Sequence, residues 1–411
     1  GLLYQATVKD SRIVFPGGAS YRLLALPNFE TMTPALLRKI MELVNGGATV
    51  IGLPPKKSPS LSGYPACDGE VQTLAWELWG GVNPPATLTV RPFGRGKIIW
   101  GEELKTNADG LYPHYDVTAK ILAESIPPDF TSPGQIRYMH RACGDVDIYF
   151  VSNRTDKAVD AVCTFRIAGK QPELWSPVTG KICALPQYAD EKGLTDIPLR
   201  FDVHEGYFIV FRNSARKSSG TVNFPETKQL TVLDASWTVS FDPAWGGPES
   251  VVFDKLHDWT DDSDPGIKYY SGTAFYRQSF DMPNYSEGSE LYLDLGKVKN
   301  MARVRLNGRD LGTAWTAPWR VDISKAVKPK DNTLEIEVVN LWPNRLIGDE
   351  QLPYDGPEHG RWPDWLLNGK PRTGGRYTFA AYRHYSKDSP LLESGLTGPV
   401  TIGEYVWGRS E

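Results

Sequence analysis

From Lys268 to Asp349 apolar and polar residues alternate in short, regular runs. Leu291, Leu293 and Leu295 interleave with Tyr292 and Asp294. Ala302, Val304 and Leu306 interleave with Arg303 and Arg305, and Leu334, Ile336 and Val338 with Glu335 and Glu337. A period of two sends successive side chains to opposite faces, so each run predicts a strand with one buried and one wet face. Asn307-Gly308 directly follows one run, and that pair accepts the positive φ a two-residue hairpin turn needs. The stretch predicts an antiparallel sandwich, completed by a last strand near Val400 to Val406. Between them, residues 350–385 form a long, poorly periodic loop rich in Trp, Pro and Gly. Loops of that length inside a compact domain are usually functional or interfacial.

Upstream the period changes. Tyr21 to Pro27 and Ala48 to Leu53 are short apolar strands flanking a helical stripe of Leu36, Leu37, Ile40, Met41 and Val44. Thr33 is placed to cap that helix, Pro34 suits its first position, and Gly46-Gly47 end it. The unit is β-α-β and should be parallel and right-handed. Asp68 is expected to cap a second helix carrying Val71, Leu74, Ala75 and Leu78, and Lys97 to Gly101 adds a buried strand. Residues 1–128 thus read as an α/β domain with a small flavodoxin-like or amidotransferase-like sheet. Ile126-Pro127-Pro128 is a linker. Residues 129–215, with short strands in DIYFVSN, VCTFRI, ELWSPVTGKICAL and GYFIVFR, read as a small β-sandwich. A polar linker from Asn213 to Thr221 leads into a third domain, 222–411. The fold class is multidomain, α/β plus all-β.

Composition narrows the function. A formal charge of −4 and a pI near 6.0 leave no electrostatic footprint for nucleic acid. No apolar stretch approaches about 18 residues, so membrane insertion is not expected. Gly1, in place of an initiator Met, reads as a point inside a longer protein, and the lack of a visible signal peptide therefore decides nothing. Thirteen Trp and nineteen Tyr suit both sandwich cores and surfaces that stack on sugar rings. Cys67, Cys143, Cys163 and Cys183 have no CxxC spacing and are expected as buried free thiols, with a disulfide between two of them as the alternative.

Candidate chemistry is sparse. The first loop of the α/β domain, Pro27 to Met32, is bulky and acidic, which does not suit a phosphate cradle. Cys67, in a loop ahead of a helix, is a poor match for a nucleophile elbow. The six histidines are dispersed, so no zinc site is expected, and His140, ahead of a strand, reads as a structural histidine. Asp254, Asp258, Asp261, Asp262 and Asp264 crowd one loop; a solvated turn is the first reading and calcium the second. The remaining candidates lie at the exit of the alternating stretch. Trp342, Asn344, Arg345 and Asp349 combine an aromatic face with polar fingers, although Arg345 and Asp349 also suit a simple ion pair. Trp362, Trp365, Tyr382 and His384 follow in the loop. These eight are the candidate carbohydrate-binding residues. An aromatic plug that covers the sandwich or docks it on a neighbour is the equal alternative.

Several strings carry a family resemblance. Asn307-Gly308, Leu311-Gly312, Pro318-Trp319-Arg320 and Leu334-Glu335-Ile336 resemble the galactose-binding-like jelly roll of family 2 type glycosidases. YRLLALP, TMTPALLRKI, SPSLSGYPACD, IRYMHR, DIYFVSN, PELWSPVTG, KYYSGTA, NLWPNRLIGD and RYTFAAYRHY occur in one order along the chain. Together they resemble the region downstream of the catalytic barrel in glycoside hydrolase family 106, the α-L-rhamnosidases. The resemblance implies that the catalytic glutamates and a calcium-assisted sugar site belong to that barrel, so no catalytic residue is assigned here and no cofactor is expected in this chain. It implies an accessory portion of a glycoside hydrolase that acts as a scaffold and a carbohydrate-contacting surface. The implied partners are a rhamnose-containing oligo- or polysaccharide and the N-terminal barrel of the same protein. The implied setting is periplasmic or extracellular, in a bacterium. Two rivals stand beside this: a free-standing carbohydrate-binding protein, and a glycosidase active by itself through Asp349 or Glu350.

Overall fold

A computed structural model describes residues 2–105, 114–124, 126–215, 221–282, 285 and 288–408. It divides into two compact units, Gly1–Asp129 and Phe130–Glu411. Residues 216–220 of the expected second linker, and Gly1, lie outside the described residues. The chain is multidomain, α/β followed by all-β.

In the first unit the strands Leu23–Ala25, Thr49–Ile51 and Gly96–Trp100 run parallel, and Thr89–Phe93 adds an antiparallel edge. The helix Pro34–Asn45 starts as its sequence dictates, with the Thr33 hydroxyl accepting from the Leu36 N–H at 3.3 Å. Its stripe of Leu37, Ile40 and Val44 packs with Val71, Ala75 and Leu78 of the helix Ala66–Trp79 over Val50 and Ile98. Ile51 and Ile99 point to the opposite face, where Val117 and Ile121 of the helix Tyr115–Ala123 cover them. Asp68 does not cap its helix. It lies inside the first turn, where its carboxylate accepts from the Ser58 N–H at 2.8 Å. Cys67 is likewise within that turn rather than in the preceding loop.

The second unit holds two sandwiches, each with its own core. In the first, an antiparallel five-stranded sheet runs in the order Ile182–Ala184, Lys170–Trp175, Gly206–Ser214, Val146–Asn153, Ile136–Cys143. It packs on a four-stranded sheet through Tyr149, Phe165, Phe211 and their neighbours. His140 sits within the strand Ile136–Cys143 rather than before it, stacked on Tyr149 with centroids 3.9 Å apart and 3.1 Å from Asp147 Oδ1. Of the four free thiols only Cys67 and Cys163 are buried; Cys143 and Cys183 end up exposed on strands near the sheet edges. Burial pushes the Cys163 thiol up to about 12.

In the second sandwich a six-stranded sheet includes Trp237–Ser240, Thr273–Phe280, Asn332–Val339 and Met301–Leu306. It faces a four-stranded sheet made of Glu226–Val232, Thr401–Val406, Glu290–Asp294 and Arg320–Asp322. The alternating runs behave as read: Ala302, Val304, Leu306, Leu334, Ile336 and Val338 enter the core, while Arg277 and Arg305 bracket Glu335 on the outer face. Asn307 and Gly308 take φ of 53° and 78°, and the turn pairs Leu306 with Arg309. Tyr292 departs from the pattern. It was expected on the wet face, yet Tyr405 packs on it at 4.6 Å and the Arg320 guanidinium covers it at 5.2 Å. Arg320 then joins the two sandwiches, donating to Asp294 at 2.7 Å and to Asp202 at 3.4 Å.

Candidate functional site

The six-stranded sheet leads through Asn332–Val339 into the short helix Pro343–Asp349, which opens with proline at a position where the missing N–H costs nothing. This helix turns its polar side chains inward. Asn344 and Asp349 are each 1% exposed and Arg345 is 5% exposed. Asn344 donates to Leu392 O at 2.7 Å and accepts from the Leu392 N–H at 2.8 Å, which ties the helix to the chain that follows the loop.

Arg345 Nε lies 3.3 Å from Asp349 Oδ1, too far off the N–H axis to be a hydrogen bond, and Nε meets no other acceptor. Its guanidinium instead stacks on Tyr377 at 4.7 Å, and burial lowers its pKa despite the charge of Asp349. The absence of a side chain at Gly348 makes room for it: a Cβ there would stand 2.5 Å from Arg345 Nη2 and 2.5 Å from the Tyr269 Cβ. Asp349 has a second task. Its oxygens accept the Tyr377 N–H at 3.2 Å, the Thr378 N–H at 2.7 Å and the Thr378 hydroxyl at 2.6 Å.

Two more acids continue the pattern into the loop. Glu350 accepts from Arg376 at 2.9 Å and from Arg383 at 3.0 Å. Burial alone would raise its carboxyl, but the hydrogen bonds and charges of the two arginines outweigh this and hold it below the usual range. Asp355 receives a two-pronged contact from Arg372, at 2.7 and 2.8 Å, and these bonds hold its carboxyl down as well. Planar fork-to-carboxylate pairs of this kind fix orientation as well as charge. The residues 350–385 therefore have an interior of their own, built from ion pairs rather than from strands.

Around Asp355 the loop encloses an open concavity of about 660 Å³, lined by Tyr354, Asp355, Glu358, Arg361, Trp362 and Trp365 among others. Trp365 is fixed: its Nε1 donates to Asp355 O at 2.8 Å, Arg372 lies over the ring at 5.2 Å, and Phe379 meets it edge-on. Trp362 is freer, half exposed and loosely parallel to Phe379 at 6.1 Å.

Of the eight residues singled out from sequence, the structure brings only Trp362 and Trp365 to this concavity. Asn344, Arg345 and Asp349 are interior and hold the loop in place. Trp342 is exposed elsewhere, edge-on to Trp245 at 5.3 Å, and Tyr382 and His384 lie beside each other in solvent, 6.2 Å apart. Sequence reasoning passed over Asp355 and Arg372, which stand 17 positions apart. Nothing local marks such a pair. Three of the five aspartates of 254–264 accept backbone N–H groups: Asp258 from Thr260 and Ser394, Asp262 from Asp264 (with His257 3.1 Å away), and Asp264 from Gly266, while Asp254 accepts from the Ser236 hydroxyl. Among the described residues no group of three or more His, Cys, Asp or Glu is arranged to hold a metal.

Residues 1–190 match the family model of glycoside hydrolase family 106, described as alpha-L-rhamnosidase. Residues 259–370, which include the inward-facing helix and the concavity, match the galactose-binding domain-like model of glycosyl hydrolase family 2. The chain is a relative of the α-L-rhamnosidases. A solved rhamnosidase from Novosphingobium sp. PP1Y shares 35% identity with it and superposes at a TM-score of 0.77, over 98% of this chain and 35% of that one. A Formosa agariphila protein with a provisional β-glucuronidase name is 25% identical over 628 aligned residues, 97% of this chain and 52% of that protein. This rhamnosidase relative thus spans about half the length of the curated protein it matches and about a third of the solved one.

Proposed function

We propose that this chain is an accessory portion of a larger α-L-rhamnosidase-like glycoside hydrolase, with the catalytic barrel elsewhere in the same protein. It serves as a scaffold, and its aromatic concavity touches a rhamnose-containing glycan outside the cytoplasm. The observation that carries this reading is the employment of Asp349 and Glu350. Glycoside cleavage asks for two carboxylates open to the scissile bond. Asp349 is buried under three hydrogen bonds, and Glu350 is gripped by two arginines. Both acids are engaged in folding the loop. The relationship to rhamnosidases over nearly the whole chain supports the wider assignment.

Incubation of this chain with an aryl α-L-rhamnoside tests the accessory role. No turnover is expected. Turnover abolished by Asp349→Asn in a folded variant would sink the proposal and favour an active site in this chain. Calorimetry with rhamnose and rhamnose-containing oligosaccharides tests the surface, with Trp362→Ala expected to remove the heat.

A further inference from the structure

Three asparagines in the chain are followed by glycine: Asn45, Asn307 and Asn368. That pair is chemically weak, because glycine has no Cβ to shield its backbone nitrogen from the neighbouring side-chain amide. The fold treats the three differently. Asn45 ends the helix Pro34–Asn45, and the Gly46 N–H is engaged by Glu42 O at 2.9 Å. Asn307 is held by its side chain. Its Nδ2 donates to Ala326 O at 2.8 Å and to Asn332 Oδ1 at 2.9 Å, while its Oδ1 accepts from the Thr333 N–H at 3.0 Å. Its peptide also lies in the turn closed by the pairing of Leu306 with Arg309.

Asn368 has neither protection. It is exposed at the end of the short helix Asp364–Leu367, and among the described residues its side chain makes no hydrogen bond. The Gly369 N–H likewise has no backbone acceptor among them. Gly369 takes φ of 59°, and a Cβ placed on it would meet nothing within 4 Å, so its surroundings are open. On its far side a single backbone bond, from the Lys370 N–H to Trp365 O at 2.9 Å, resists rotation of the Asn368–Gly369 peptide.

We propose that Asn368 is a site of spontaneous deamidation through a succinimide, and that the fold confines this reaction to it among the three Asn-Gly steps. The Gly369 nitrogen loses its proton to solvent base and bonds to Asn368 Cγ, and Nδ2 leaves as ammonia. Water then opens the cyclic imide at either carbonyl, giving aspartate or isoaspartate, and nothing is oxidised or reduced. Either product adds a negative charge at the end of the helix that carries Asp364 and Trp365 to the concavity. Isoaspartate also lengthens the backbone there by a methylene.

The test incubates this whole chain in warm, mildly alkaline buffer, folded and in urea, and follows all three sites by peptide mapping and isoaspartyl-specific methylation. In the folded protein Asn368 should convert at least about tenfold faster than Asn307, whose hydrogen bonds must break before its ring can close. In urea the three rates should converge. Asn368→Gln, which cannot form the five-membered imide, should remove most of the ammonia released by the folded protein. Conversion of Asn45 or Asn307 as fast as Asn368 in the folded protein, or a ranking that persists unchanged in urea, overturns the inference. So does an Asn368 that stays intact while the folded protein is incubated.

Discussion

Thr378 closes the aromatic loop onto Asp349, giving one carboxylate oxygen both its backbone N–H, at 2.7 Å, and its hydroxyl, at 2.6 Å. The same carboxylate neutralises Arg345 from inside the helix. One buried acid thus fixes the polarity of the helix interior and the return of a chain segment 29 positions away.

Asp349→Ala should cost about 3–5 kcal/mol, because it leaves Arg345 as an uncompensated buried charge. Denaturant unfolding measures the loss, and limited proteolysis should show new cleavage within 350–385. An unchanged midpoint together with an intact loop would remove Asp349 from its structural role.

Gly348→Ala should cost about 1–3 kcal/mol through overpacking. The added methyl would press on the Tyr269 Cβ and on Arg345 Nη2, both 2.5 Å away. Urea denaturation checks this, and loss of the Tyr377 stacking should accompany it as a change in near-ultraviolet circular dichroism.

Glu350 makes the loop acid-sensitive. Its folded carboxyl is held below the ordinary 4.5, so its contribution is fully present above that value and is lost as pH falls through the folded pKa. The wild type should lose stability and protease resistance in acid. Glu350→Gln should be weaker at neutral pH and should show a flatter decline below 4.5. Identical pH profiles for the two proteins would contradict this.

Glu205 has the opposite sign. It lies half-buried at the junction of the two sandwiches, near Asp202, Tyr207 and Arg320, and accepts from the Asp202 N–H at 2.8 Å. Burial raises its carboxyl above 4.5, so the folded protein holds this proton more tightly than the unfolded chain does. Stability from this group falls as pH rises from 4.5 through the folded pKa. Glu205→Gln should therefore stabilise the protein at neutral pH, with the gain fading towards pH 4.5 in parallel denaturation series. A gain that is constant with pH would rule the titration out.

How much of this was readable beforehand depended on the range of the forces involved. Asn307-Gly308 and the Thr33 cap were plain because turn and cap chemistry are local. The alternation at 302–306 and 334–338 was plain because each strand has one dry face. Tyr292 was misread because its outer face is covered by Arg320 and Tyr405, and no period within one strand reports a neighbour that distant in sequence. The helix Pro343–Asp349 did carry a signal, a proline at its first position, but its burial did not. Asn344, Arg345 and Asp349 look like a polar surface motif until the loop that buries them is in place. The rhamnosidase kinship was legible from the order of the strings, whereas the Arg372–Asp355 clamp that shapes the concavity was not.

The acids at 349, 350 and 355 have their partners within 345–383. Moving that segment as a unit would carry each acid together with its arginine, but its contacts with Ser271, Tyr269 and Gly246 would have to be matched. None of these ion pairs uses the Trp362 ring, so a change at that position leaves the charge pairing inside the loop intact.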